Sequence, residues 1–213
     1  MTGVASFYKA LLLSSEAYCL SQLADQVVPT VLTLYNSCYH LALSHLLAQS
    51  APPSNSDWVR KIRTAIQNRD DIGKVVRHSW LDTHLSECAQ QRRMVQFATA
   101  FSEMRKLRDD LQYGPRVRRE TDWFVLDSCK NPAPTIRRTT RRHLEAWDTY
   151  VGELLDDTPS GIVLLSLALR DDYRRSLLKE STGLAPYYSK AAVARANESI
   201  KALTKNLWPN RPE

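Results

Sequence analysis

Apolar residues in this chain mostly return every three to four positions, less regularly beyond residue 158, and no stretch alternates with the period of two that a half-buried strand needs. Only 6 of the 213 residues are glycine, against 10 prolines. The chain therefore reads as all-α, a set of helices joined by irregular connectors.

A first helix is expected over about residues 6–26, with Leu12, Ala17, Leu20 and Leu23 on one face. Pro29 resets the chain and, being tolerated in a first turn, opens a second helix through Leu34, Cys38, Leu41, His45 and Ala48. Residues 50–56 form a loop. Ser56 or Asp57 then caps a short helix carrying Trp58, Ile62 and Ile66, which ends at residues 70–73. A short helical piece is expected over 80–85. A long helix follows over 91–111 through Met94, Phe97, Phe101, Met104 and Leu107, and stops at Tyr113-Gly114-Pro115. After the breaker at 131–134, Thr135 is placed to cap a helix through Ile136, His143, Leu144, Trp147, Val151 and Leu155. Residues 1–157 are expected to form an antiparallel helical bundle. Residues 158–213 form a helical extension packed on it, with an apolar stretch at 162–169 and a last helix over 190–207.

Composition, 43% hydrophobic and 24% charged, is that of a globular chain. No apolar run reaches the roughly 20 residues that cross a bilayer. The short apolar run at 10–13 has no basic run ahead of it, so no signal peptide is expected. A cytoplasmic protein with no membrane partner follows as the expectation. The four cysteines, Cys19, Cys38, Cys88 and Cys129, stand singly, without a CxxC pair. They read as small buried hydrophobes, and neither a metal nor a cofactor is expected.

Charge is uneven along the chain. Residues 105–142 hold 11 Lys and Arg against 5 Asp and Glu, a surplus as large as the net +6 of the whole protein. Arg105, Arg108, Arg116, Arg118, Arg119, Arg137, Arg138, Arg141 and Arg142 make up nearly all of it. Such a cluster suits an anionic partner. It suits equally a solvated face balanced in space by acids elsewhere, such as Asp156, Asp157, Asp171 and Asp172.

The histidines offer little to catalysis taken singly. His40 and His45, five apart, fall on different faces of one helix and make a poor metal pair. Ser79 and Asp82, with His78 and His84, contain the letters of a nucleophilic triad without a nucleophile-elbow sequence around the serine. No phosphate-cradling glycine loop or nucleotide fingerprint is present. Arg138 and His143 are the remaining pair. An arginine to neutralise a phosphodiester and a histidine to move the proton of a 2′-hydroxyl are the groups that metal-free RNA cleavage needs. A basic helix with one histidine also arises by chance.

Three stretches, in order, resemble the HEPN domains, named for higher eukaryotes and prokaryotes nucleotide-binding. Residues 34–47, LYNSCYHLALSHLL, are similar to a family helix with a tyrosine pair, small residues and closing leucines. Residues 76–80, VRHSW, resemble a short histidine-serine segment that precedes the family's third helix. Residues 104–115 contain Arg108 and Tyr113, similar to the arginine, four residues, then tyrosine of one family branch. The resemblance spans about residues 5–155 and implies a helical bundle. In nuclease members the last motif ends in histidine, and two copies meet across a dimer to cut RNA. Here Tyr113 stands in that place, which implies a branch associated with nucleotidyltransferase partners or with no cleavage, whereas Arg138 and His143 match the nuclease spacing.

Three functions are therefore weighed. The first is a HEPN-like subunit that binds RNA through the arginine-rich surface, with a protein partner or as a homodimer, in an antiviral defence or toxin–antitoxin type system. The second is a metal-independent endoribonuclease using Arg138 and His143 in a dimer. The third is a helical adaptor that binds only protein, with Trp123, Trp147 and Trp208 as interface material.

Overall fold

A computed structural model describes residues 3–23, 25–48, 57–68, 70, 75–91, 94–113, 133–155 and 188–207. Every element among them is a helix: α1 (Val4–Ser21), α2 (Val27–Ala48), α3 (Asp57–Asn68), α4 (His78–Gln91), α5 (Val95–Tyr113), α6 (Ala133–Leu155) and α7 (Lys190–Leu207). The protein is all-α, and no described helix is long and apolar enough to cross a membrane. The expected loop at 50–56 and the apolar stretch at 162–169 lie outside the described residues, as do Arg116, Arg118, Arg119, Cys129, Trp123 and Trp208.

The bundle is organised around α2. Its residues are apolar or small on nearly every side, and a helix of that kind has to be covered all round. Leu34, Tyr35, Cys38, Leu41, Ala42 and Leu46 are all buried. α1 lies along it over the longest interface, α4, α5 and α6 cover the remaining faces, and α7 packs on the outside of α1. The described buried serines do not disturb this packing because each finds a carbonyl close by. Ser37 donates to Ala10 O across the α1–α2 interface, Ser44 to Leu41 O at 2.7 Å, and Ser14 and Ser15 both to Leu11 O at 2.9 Å.

α7 is tied to α1 by polar contacts as well as by buried Ala192 and Ala196. Tyr8 donates to Asn197 Oδ1 at 3.2 Å, and the Ser189 hydroxyl donates to Glu16 at 2.9 Å.

Boundaries differ from the sequence expectations where a turn carries no strong breaker. α1 ends at Ser21, so Leu23 falls beyond the helix and is 57% exposed rather than on the core face. The expected piece at 80–85 is a full helix, α4, that takes in Gln91, and α5 starts afresh at Val95. α6 opens at Ala133, before the expected cap Thr135, because Pro134 needs no intrahelical donor in a first turn. The strong stop was legible: α5 ends at Tyr113, immediately before Gly114-Pro115.

Candidate functional site

The core-facing stripe of α5 runs through Phe97, Phe101 and Met104, all buried. Arg108, four residues past Met104, continues that stripe. Its side chain is accordingly only 12% exposed, although it is charged. Its guanidinium lies over the Tyr35 ring of α2, 4.7 Å from the centroid, and also faces the ring of Tyr113 at 5.9 Å. Asp109 pairs with it at 2.9 Å and Gln112 accepts from it at 3.2 Å, yet the buried Nε–H has no partner. Tyr113, one turn on, leaves its ring 75% exposed.

Arg105 lies one turn back. It reaches Asp82 of α4 at 2.6 Å and Asp109 at 4.0 Å, so two carboxylates aim its guanidinium. His78, first residue of α4, closes the cluster. Its Nδ1 bonds the Tyr35 hydroxyl, and its ring stands 4.7 Å from that of Tyr39. Burial drives the Tyr35 hydroxyl above its ordinary range, only partly offset by Arg108 and Arg105. Burial, then Arg108 and Arg105, holds His78 below its ordinary value. The hydroxyl therefore keeps its proton and donates to Nδ1 of a neutral imidazole, whose Nε2 carries the N–H.

Tyr35, Tyr39, His78, Arg108 and Tyr113 come from the three separate stretches on which the family resemblance was drawn, and the fold sets them side by side. Compared with known proteins, the chain matches no family model, no curated protein and no solved structure.

Arg138 and His143 are not brought together. Five residues along a helix turn by about 140° beyond one full revolution. Arg138 is exposed, whereas His143, on the inward stripe with Trp147, Tyr150, Val151 and Leu154, is 2% exposed. Both of its ring nitrogens are engaged, Nε2 with Glu103 of α5 at 2.8 Å and Nδ1 with the Tyr150 hydroxyl at 2.8 Å. Burial lowers its pKa, with the Glu103 carboxylate acting in the opposite direction. In this arrangement His143 is a structural link between α5 and α6, and it does not share a phosphate with Arg138.

The other arginines of the basic segment are less bare than their density suggests. Arg141 pairs with Glu145 at 2.8 Å, and Arg142 pairs with Glu103. Arg137 and Arg141 also line a cleft of about 720 Å³ between α6 and the α1–α2 junction. Glu145 and Asp148 line it too. Four described arginines of the segment, Arg105, Arg108, Arg141 and Arg142, thus have a carboxylate beside them.

The letters of the serine–histidine–aspartate trio separate as well, His78 being bonded to Tyr35. Asp82 serves Arg105, Ser79 is exposed, and His84 turns into the core. There it meets His45 of α2 and Cys88 of its own helix, three fully buried side chains that sequence reading had left apart. His84 and Cys88 stand four residues apart on one helix face, which is the local signal that was present. Their third member lies 39 positions from His84 and carries no local signal at all.

Proposed function

We propose that the protein is a HEPN-like helical subunit that binds single-stranded RNA at the Arg105–Arg108–Tyr113 cluster. The exposed Tyr113 ring beside the Arg108 guanidinium carries this reading. An open aromatic face next to an arginine is the combination on which an unpaired base stacks while the neighbouring phosphate takes N–H donors. Arg105 and Arg108 supply those donors. Asp82 and Asp109 hold both guanidiniums in place beforehand, which lowers the ordering cost of binding. The resemblance supports the setting, a complex of the antiviral defence or toxin–antitoxin type in which a protein partner or a second copy completes the assembly. The nuclease alternative finds no support in Arg138 and His143 as they are arranged here.

Retention of a mixed single-stranded RNA pool by the purified protein tests the proposal, with Tyr113→Ala and Arg105→Gln alongside. Tyr113→Ala is expected to weaken binding by about 5- to 100-fold, the range for loss of one stacked base. Arg105→Gln should flatten the salt dependence by roughly one phosphate contact. Equal binding by wild type and Tyr113→Ala would remove the cluster from the interface. An absence of RNA binding by the wild type would turn the weight to a protein-only adaptor. RNA shortened in the presence of EDTA would make the protein a metal-independent ribonuclease.

A further inference from the structure

We propose that His45, His84 and Cys88 bind one transition-metal ion of the zinc class in the core between α2 and α4. The three residues are 0%, 0% and 2% exposed, and their ligand atoms all lie within 4.8 Å of one another. The separations have the size that a shared ion imposes. Two imidazole nitrogens bound at about 2.0–2.1 Å to a tetrahedral zinc stand about 3.4 Å apart, and a nitrogen and a thiolate sulfur about 3.6 Å. His84 Nε2 is 3.4 Å from His45 Nδ1 and 3.7 Å from Cys88 Sγ.

The contact between the two histidines is long for a hydrogen bond. A 3.4 Å contact between two ring nitrogens is beyond the usual 2.7–3.2 Å range for a nitrogen donor. Leu41 of α2 and Leu81 and Leu85 of α4 are buried as well. Two imidazoles and a thiol converging on one point are the donor set that selects zinc over calcium or magnesium. Three protein ligands leave a fourth position to a water molecule or small anion.

Binding replaces the Cys88 S–H proton by the ion. About one proton is released to solvent for each ion taken up, and the two imidazoles bind through neutral nitrogens. Because the site is wholly enclosed, the ion enters as α4 docks on α2 during folding.

Full-length protein unfolded with chelator and refolded with Co2+ provides the direct test. About one ion per chain is expected, with the visible bands of four-coordinate cobalt and a near-ultraviolet thiolate-to-cobalt charge-transfer band, both bleached by added Zn2+. Cys88→Ser should abolish the charge-transfer band, and Zn2+ should raise the melting temperature of the wild type by roughly 5 °C or more without moving that of the variant. If Cys88→Ser does not fold, His45→Gln and metal-dependent protection of Cys88 from alkylation in the wild type give the same reading. Refolded wild type that retains no stoichiometric ion would make the trio a polar core cluster only, and the proposal would fall. A charge-transfer band that survives in Cys88→Ser would assign the ion to another thiol and overturn it equally.

Discussion

His143 takes its role from the two groups on either side of its ring. With Glu103 on Nε2 and the Tyr150 hydroxyl on Nδ1, a neutral imidazole donates to the carboxylate and accepts from the phenol, and each polar atom is satisfied inside the bundle. Removing the ring leaves the 6%-exposed Tyr150 hydroxyl without its acceptor. His143→Ala is therefore expected to lower stability by about 1–3 kcal/mol, read as a shift in the urea midpoint at unchanged slope. A second residue-scale consequence is pH dependence. Burial, with Lys9 beside it, lowers His40 from 6.5 to about 4, and burial likewise lowers His78 and His143. The unfolded chain takes up these protons near pH 6.5, whereas the folded chain resists them. Stability is thus fully present above about pH 6.5 and declines as the pH falls toward 4. His40→Gln should remove on the order of 2 kcal/mol of the difference between pH 7 and pH 4, measured by urea unfolding at both values.

Among the helices, α6 is held to α5 by two carboxylates that point in opposite directions along the interface. Glu103 of α5 receives Arg142 and His143 of α6, and Glu153 of α6 accepts the Phe97 N–H in the first turn of α5 at 3.0 Å. A carboxylate at a helix N-terminus satisfies an orphan donor and faces the positive end of the helix dipole. Glu153→Gln is expected to cost about 0.5–1 kcal/mol, and Glu153→Leu more, because the Phe97 N–H then has no acceptor. The aliphatic and aromatic seam contributes more than these polar links. Phe101 is fully buried where α5 meets α2, with its ring 5.9 Å from that of Tyr35. Phe101→Ala should destabilise by about 3–5 kcal/mol. Since Phe101 also underlies the ring on which Arg108 rests, the same variant should weaken RNA binding even at temperatures where it remains folded.

For the molecule as a whole, the net charge of +6 is a poor guide to where an anion would bind. The carboxylates that pair with Arg105, Arg108, Arg141 and Arg142 come from within α5 and α6 themselves as well as from α4. Binding through the Arg105–Arg108–Tyr113 cluster should accordingly show a shallow salt slope, about one to two phosphates' worth, rather than the steep slope of an open cationic face. A titration of RNA affinity between about 50 and 200 mM salt checks this directly.

Helical class, the termination at Tyr113 and the two inward stripes were written in local spacing, because a period of 3.6 and a Gly-Pro break act over a few residues. His143 was legible in the same way: it shares its stripe with Trp147, Val151 and Leu154, and that spacing argues for the core over a catalytic position. Arg108, on the line of Phe101 and Met104, was equally placed by its register. What no local pattern contained was the set of partners. Asp82 beside Arg105, Glu103 beside His143, and His45 against His84 and Cys88 join helices whose residues stand 23, 40 and 39 positions apart. Those meetings follow from how α4, α5 and α6 seat their side chains against α2, and the seating depends on the shapes of whole helix faces rather than on the spacing within any one of them.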